Sequence, residues 1–338
     1  MRAAIALCEG GDYMLAAVVS IVALAALVAV ATIIVRRTLR PPPVDATVPP
    51  ALVGTAAEAV TPVLPATAPA ARRSRKPHIV LIHGLFGFDT LGVGPAKVAY
   101  FRGVARRLAR RGVDVSIVRL PPLAGVPERA QSLIAQLDKI DSDRLTLVAH
   151  SLGGLDARWA VARDPALAAR VATLITIGTP HRGTPIADLF ATGAPDKLRA
   201  VLARLGLGTD ALDWLTTKRL DDFNRDIADV AGVTYASVVA ATEERGRVHA
   251  LLRVPHTLLR RYGPSDGLVP AWSQAWGDVV ARVEVDHWAQ IGWAKGPDGH
   301  DAAVMIERAL DGIAALPAAR SQRLLTAPVG RIDTAPPA

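Results

Sequence analysis

An apolar run that ends in a serine between small residues constrains the fold of this chain more than any other feature. Residues 145–154 read LTLVAHSLGG. A sharp turn from a strand into a helix exposes a serine hydroxyl and tolerates only small residues two positions before and after it. Ala149 and Gly153 occupy those positions around Ser151. The pattern, A-x-S-x-G in place of the commoner G-x-S-x-G, predicts a nucleophile elbow. An ordinary strand–turn–helix corner is the alternative that these five residues leave open.

A glycine-rich loop upstream has the composition of an oxyanion loop. Residues 78–82 read HIVLI, an apolar, β-branched run typical of a buried strand, and HGLFGF follows at 83–88. In α/β-hydrolases one oxyanion donor is the N–H of the residue after the serine, and the other comes from the loop after such a strand. The N–H groups of Leu152 and Leu85 are therefore the predicted oxyanion donors. A glycine-rich turn with a buried core histidine at His83 is the alternative.

A base and an orienting acid are expected after the serine, in the order Ser, Asp or Glu, His. His287 ends an apolar, strand-like run at 279–286, and Asp266 lies in the Gly- and Pro-containing turn YGPSDGLVP at 262–270. A carboxylate in that turn can hold the imidazole in one tautomer. Asp286 is a weaker candidate for the orienting acid. It is the direct neighbour of His287, and in extended backbone the side chains of neighbours point to opposite faces. His300 is the reserve base. The alternative for Asp266 is that it only caps its own turn.

Several longer strings then identify a family resemblance. HGLFGFD at 83–89, AHSLGG at 149–154, IGTPHRGT at 177–184, DDFN at 221–224 and SDGLV at 265–269 resemble the bacterial triacylglycerol lipases of the Pseudomonas and Burkholderia type. The resemblance spans about residues 77–316. It implies an α/β-hydrolase fold and hydrolysis of lipid acyl esters through an acyl-serine. Under it, Ser151 is the nucleophile, Asp266 the acid, His287 the base, and Leu85 and Leu152 the oxyanion donors.

The chain also departs from that family's pattern. Those lipases carry a calcium-ligating aspartate two positions after the catalytic histidine, where this chain has Ala289. Alanine offers no side-chain oxygen to a hard cation, so we expect neither a metal nor another cofactor. The one cysteine, Cys8, precedes the catalytic region, which excludes an intrachain disulfide.

Three other functions remain open at this stage. A phospholipase or an acyltransferase would use the same residues, and a membrane-anchored lipid-binding or scaffold protein could retain a decayed hydrolase fold. A net charge of +8 and a pI of about 10.1 would also suit a nucleic-acid partner. No zinc-ligand spacing, aromatic RNA-binding motif or helix-turn-helix signal accompanies that charge, so we expect no nucleic-acid partner. The expected partners are a lipid or acyl-ester substrate and a membrane; the oligomeric state stays open.

Alternation of apolar runs with amphipathic stretches predicts a mostly parallel sheet covered by helices on both faces, the α/β-hydrolase fold. The expected strands are 78–82, 114–119, 144–149, 171–177, 233–240 and 278–285. Helices are expected near 97–111, 127–140, 152–163 and 301–315. An insertion at about 184–232, with helices at 196–205 and 210–229, is the expected lid, an ordinary packed helix being its alternative.

The amino-terminal region is of a different kind. Residues 14–35 are almost entirely apolar and long enough to cross a bilayer as a helix, within an amino-terminal segment 1–40. A cleavable signal peptide is the alternative. The arginines at 36, 37 and 40 favour a cytoplasmic catalytic domain, with an exported domain as the alternative. Residues 41–76 form a Pro- and Ala-rich linker with a basic end, 77–316 the catalytic domain, and 317–338 a disordered tail.

Overall fold

The computed structural model describes residues 78–85, 90–91, 98–193 and 210–314. The predicted membrane helix 14–35, the linker 41–76, the lid helix 196–205 and the tail 317–338 lie outside the described residues. Among those that are described, no helix is both long and apolar enough to span a membrane.

A six-stranded sheet forms the centre of the described structure, and every pairing in it is parallel. The strand order across the sheet is β4-β1-β5-β6-β7-β8. Its strands are β1 (His78–Ile82), β4 (Asp114–Ile117), β5 (Leu145–His150), β6 (Val171–Ile177), β7 (Thr234–Ala240) and β8 (Asp278–Val283). Two short strands, β2 (Thr90–Leu91) and β3 (Val98–Ala99), form a separate antiparallel pair.

The described α-helices follow the strands along the chain. They are α1 (Val104–Arg110), α2 (Val126–Leu137), α3 (Gly153–Arg163), α4 (Pro165–Ala168), α5 (Pro185–Gly193), α6 (Asp210–Asp213), α7 (Thr217–Asp226), α8 (Arg253–Leu259), α9 (Ala271–Gln274) and α10 (Ala302–Ala314). Short 3₁₀ helices lie at Arg245–Arg247, Ala250–Leu252, Arg260–Tyr262, Ala289–Ile291 and Pro297–Gly299.

Alternate residues of β1 show how the sheet is covered on both faces. Val80 and Ile82 join a buried cluster with apolar residues of α2 and α3, whereas Ile79 and Leu81 join a second cluster with residues of α1 and α10. Successive side chains of a strand point to opposite faces, so a strand apolar at every position must be covered on both. The predicted parallel sheet between two helical layers is therefore confirmed.

Two of the predicted helices differ from those in the structure. The helix expected near 97–111 begins only at Val104, because Gly103 has a left-handed φ of 78° and residues 98–99 pair as a strand with 90–91. The helix expected over 210–229 is two helices, α6 and α7. Thr216 separates them, since its extended backbone stops α6 from continuing and its hydroxyl caps α7 by accepting from Arg219 N–H.

Parallel pairing brings the carboxyl ends of the strands to one edge of the sheet. The segments that follow β1, β5, β6 and β8 begin at residues 83, 151, 178 and 284, and all four begin at this edge. Ligand sites of open parallel sheets form at this edge. The predicted oxyanion loop, nucleophile and base are therefore gathered there by topology alone.

Candidate active site

Ser151 occupies the sharp turn between β5 and α3. Its φ of 55° is left-handed, which is uncommon for a residue with a side chain and is characteristic of functional turns. The turn is held from both sides, because Ser151 N–H donates to Ile177 O (2.9 Å) and Thr179 Oγ donates to Ser151 O (2.8 Å). The sharp strand-to-helix turn that a nucleophile elbow requires is therefore present at Ser151.

The oxyanion loop lies directly against this turn. A Cβ added to Gly84 would be 2.7 Å from Ser151 Cβ, and one added to Gly153 would be 2.7 Å from His83 O. Real Cβ atoms do not approach that closely, so both positions require glycine. The predicted oxyanion donors, the N–H groups of Leu85 and Leu152, belong to residues that directly follow Gly84 and Ser151.

The structure brings together the predicted acid and base. His287 Nδ1 lies 2.7 Å from Asp266 Oδ2, and His287 N–H donates to Asp266 O at 2.8 Å. The other carboxylate oxygen, Oδ1, accepts the N–H groups of Leu268 (2.9 Å) and Val269 (2.7 Å). Asp266 is fully buried, so these bonds fix its orientation. Since Nδ1 of His287 is occupied, Nε2 is the nitrogen available to act as a base.

The two alternative residues have other environments. Asp286 accepts backbone N–H groups from His249, Trp288 and Ala289, which directs its carboxylate away from the base as expected. His300 Nε2 is buried without a hydrogen-bond partner in the described chain, and burial lowers the pKa of His300. Within the described residues, neither side chain is hydrogen-bonded to the side chains of Asp266 or His287.

A chain of buried polar groups extends from Asp266 to the oxyanion loop. Gln290 Nε2 donates to Asp266 Oδ2 (2.8 Å), and Gln290 Oε1 lies 3.1 Å from His150 Nε2. His150 Nδ1 lies 2.7 Å from the hydroxyl of Tyr100, which accepts the N–H of Gly84 at 3.0 Å. Burial, with the nearby charge of His287, holds the pKa of His150 well below its usual range. We call these three side chains, Tyr100, His150 and Gln290, the polar chain.

A buried ion pair holds the same loop from the opposite side. Arg129 on α2 donates to Asp156 Oδ2 on α3 at 2.8 Å, to His83 O at 2.9 Å and to Pro121 O at 2.7 Å. Neither partner is exposed, and burial raises the pKa of Asp156 to about 7 despite the adjacent guanidinium. The pair therefore ties the loop after β1 to the helix that follows Ser151.

The turn after β6 adjoins the acid and the polar chain. Gly178 has a left-handed φ of 57°, and an added Cβ would lie 2.2 Å from Gln290 Oε1 and 3.2 Å from Asp266 Oδ2. His181, further along this turn, is buried and bonded to Thr176 Oγ (3.0 Å). The first glycine of the GTPHRG string is thus explained by the space that Gln290 occupies.

An apolar cluster joins the predicted lid region to the oxyanion residues. Leu152 is buried in this cluster, and Leu85 packs against it. The other members come from α2, α3 and the insertion, including Ala187 on α5 and Leu220 and Phe223 on α7. The described part of the insertion therefore places apolar side chains beside both predicted oxyanion donors.

Sequence reasoning missed five polar residues of this site. His150 precedes the serine and therefore falls outside the expected chain order for a base, although its place inside the A-x-S-x-G motif indicates that it lies close to the site. Arg129 and Asp156 read as ordinary helix residues, Tyr100 was assigned to a helix, and no pattern marked Gln290.

No group of three or more histidine, cysteine, aspartate or glutamate side chains in the described ranges is placed to hold a metal ion. The expectation that the protein works without calcium stays a prediction.

Comparisons with known proteins find similarity to a PGAP1-like domain and to lipases. The family profile of the PGAP1-like alpha/beta domain matches residues 128–233. The triacylglycerol lipase 2 of Saccharomyces cerevisiae is 30% identical over 209 residues, which are 58% of this chain and 63% of the yeast protein. A triacylglycerol lipase of Vibrio cholerae is 36% identical over 115 residues, 33% of this chain and 35% of that protein. The matched regions thus cover less than two thirds of these relatives.

A solved structure shows the same fold. The crystal structure of a metagenomic carboxyl esterase superposes with a TM-score of 0.56 at 21% identity, covering 85% of this chain and 89% of that chain. At this identity the likeness concerns the fold alone.

Proposed function

We propose that this chain, which is similar to triacylglycerol lipases over less than two thirds of their length, is a serine hydrolase of the α/β-hydrolase superfamily that cleaves carboxyl esters of lipids. The observation that carries the proposal is the buried Asp266–His287 pair, 2.7 Å apart, at the sheet edge where Ser151 occupies its left-handed turn. A nucleophile, an acid and a base at this edge, in this chain order, are the groups that catalyse acyl transfer.

The reaction follows from the roles of these groups. His287 Nε2 takes the proton of Ser151 Oγ as that oxygen attacks the ester carbonyl carbon. Asp266, bonded to Nδ1–H, stabilises the imidazolium, and the N–H groups of Leu85 and Leu152 bind the oxyanion. His287 then protonates the alcohol, which leaves an acyl-Ser151. Water, deprotonated by His287, attacks the acyl carbon, and the carboxylic acid departs as Ser151 recovers its proton.

The apolar cluster supports a lipid substrate. Leu85 and Leu152 carry the proposed oxyanion donors, and both lie against apolar side chains of the insertion at 184–232. Opening of the insertion would uncover this buried cluster to an acyl chain that extends from a carbonyl in the site, whereas a polar substrate would leave its groups there without partners. The insertion is therefore the proposed lid. Residues 14–35 are the proposed anchor that holds the enzyme on the bilayer, because their apolar sequence is long enough to cross it as a helix.

The test is the loss of a covalent adduct. Full-length Ser151→Ala should neither hydrolyse p-nitrophenyl butyrate nor be labelled by a fluorophosphonate probe. Ser132→Ala, in helix α2, removes a hydroxyl outside the site and should retain both activities. Undiminished hydrolysis by Ser151→Ala would overturn the proposal. A wild-type protein that binds lipid vesicles but is never labelled would favour a non-enzymatic lipid-binding protein.

The choice of lipid is a separate measurement. Release of fatty acid from triacylglycerol and from phosphatidylcholine of matched chain length distinguishes a lipase from a phospholipase. Transfer of the acyl group to an added alcohol in place of water identifies an acyltransferase.

A further inference from the structure

With His150 neutral, the hydrogen-bond donors and acceptors along the polar chain allow one arrangement of protons. Gln290 Nε2 donates to Asp266, and the amide oxygen Oε1 can only accept. His150 must then carry its proton on Nε2 and donate to Gln290 Oε1. Nδ1 of the neutral ring accepts, so the Tyr100 O–H donates to it, while the Tyr100 oxygen accepts the N–H of Gly84. Every bond points from the oxyanion loop toward the acid.

The polar chain is also isolated from water. Tyr100 is 3% exposed, His150 1%, and Gln290 and Asp266 are not exposed. A buried polar atom that loses its partner cannot recover one from solvent, so a break at one bond leaves groups unsatisfied on both sides of it. The missing side chain of Gly178 leaves the space for Gln290, and Gly84 lies against Ser151, so neither end can shift without disturbing a neighbour.

The position of His150 beside His287 requires that His150 stay neutral. Its ring centroid lies 4.5 Å from that of His287, the proposed base. A second positive charge at that distance would oppose the imidazolium that forms when His287 accepts the serine proton. The neutral ring satisfies the bonds to Tyr100 and Gln290, and burial holds the pKa of His150 well below its usual range, so His150 stays uncharged beside a base that must become charged.

We propose that Tyr100, His150 and Gln290 are positioning residues that couple the orientation of the triad acid to the placement of the oxyanion loop. Gln290 holds Asp266, Tyr100 holds Gly84 and with it the Leu85 N–H, and neutral His150 joins the two. This inference rests on the proposed ester hydrolysis. The three residues should stabilise the transition state, because it needs both the acid and the oxyanion donors in place. They should have no effect on ground-state binding of the substrate.

A double-mutant cycle tests the coupling. Tyr100→Phe and Gln290→Leu should each lower kcat for p-nitrophenyl butyrate roughly tenfold, the scale of one lost buried hydrogen bond, with KM within about twofold. The double variant should lose far less than the roughly 100-fold product of the two, because the chain is already broken. Inhibition by an alkyl boronic acid, which imitates the tetrahedral intermediate, should weaken in step with kcat.

A matched control separates coupling from general loss of packing. Tyr235→Phe also removes a buried hydroxyl that accepts a backbone N–H, that of Val230. Tyr235→Phe combined with Gln290→Leu should give effects on kcat that multiply. Multiplicative losses in Tyr100→Phe/Gln290→Leu itself, or changes confined to KM, would overturn the inference.

A second measurement needs no variant to fold. In ¹⁵N-histidine spectra of the full-length wild-type protein in detergent at pH 7, His150 should be neutral with its proton on Nε2, and His287 should carry Nδ1–H. A protonated His150, or its Nδ1–H tautomer, would overturn the inference. Failure of fluorophosphonate to label wild-type Ser151 would instead overturn the proposed function, so the two failures are distinguishable.

Discussion

Gly178→Ala is the substitution whose consequence the structure defines most sharply. The new methyl group would lie 2.2 Å from Gln290 Oε1 in a residue with a φ of 57°. Two costs therefore add: left-handed backbone in a residue with a Cβ, and displacement of a buried amide that holds Asp266. We expect both lower stability and lower activity.

The two costs can be estimated separately. Left-handed backbone in a non-glycine residue costs roughly 1–2 kcal/mol. Overpacking of a well-filled site costs about 1–3 kcal/mol more. Gly178→Ala should therefore lose about 2–5 kcal/mol of unfolding free energy in urea, followed by circular dichroism. Its kcat for p-nitrophenyl butyrate should fall at least about tenfold as Gln290 leaves Asp266.

Gly112 supplies the matched control. Its φ is also left-handed, at 72°, but an added Cβ would meet nothing within 4 Å. Gly112→Ala should show only the backbone cost, about 1–2 kcal/mol, with unchanged kcat. The difference between the two variants isolates the contact with Gln290.

A second substitution in the Gly178→Ala background completes the argument. Gln290→Ala removes the obstructing amide, so it should restore part of the lost stability without restoring kcat. Equal stability and activity of Gly178→Ala and Gly112→Ala would refute the reasoning. So would recovery of kcat on adding Gln290→Ala.

Three further results are expected. Asp266→Asn should lower kcat by roughly 10⁴-fold with little change in KM, if the serine-protease precedent holds; a loss below tenfold would exclude Asp266 as the acid. EDTA should leave activity and Tm unchanged, and a loss restored by calcium would contradict this. Deleting residues 1–40 should preserve hydrolysis of soluble esters and lower the rate on lipid in vesicles; an equal rate on vesicles would contradict anchoring by 14–35. A fourth concerns acid. Burial holds the pKa of His181 in the folded protein well below 6.5, so this histidine binds a proton more tightly in the unfolded chain. The contribution of neutral His181 to the unfolding free energy is therefore complete above pH 6.5 and is lost as the pH falls below that value. Between pH 6 and 5, the unfolding free energy of the wild type should fall by up to about 1.4 kcal/mol per pH unit more than that of His181→Gln. If urea unfolding shows the same difference between the two proteins at pH 6 and pH 5, the prediction is wrong.

The nucleophile turn and the strands could be predicted from the sequence because their determinants are local. Small residues around Ser151 and β-branched runs before each turn record the backbone they must adopt. Asp266 and His287 were predicted because each lies in a turn after or beside a strand, and the chain order of the three groups restricts the choice. The structure then placed the two side chains in contact.

The supporting residues could not be predicted, because what defines them is distant in sequence. Gln290 has its place because Gly178 lacks a side chain, and Arg129 acts on carbonyl groups of a loop more than 40 residues earlier. Tyr100 was expected within a helix, yet the left-handed Gly103 delays that helix and leaves Tyr100 to bond Gly84. No local pattern records such long-range contacts.

The strand order has a consequence for synthesis on the ribosome. Ser151 and its elbow follow the early, central strand β5, whereas Asp266 and His287 flank β8, the last strand and an edge of the sheet. About 136 residues separate the nucleophile from its base, and at roughly 5–20 residues per second their translation takes on the order of 7–27 s. Throughout that interval the nascent chain carries Ser151 without His287. Under the proposed mechanism, Ser151 cannot attack an ester until the final strand has been added.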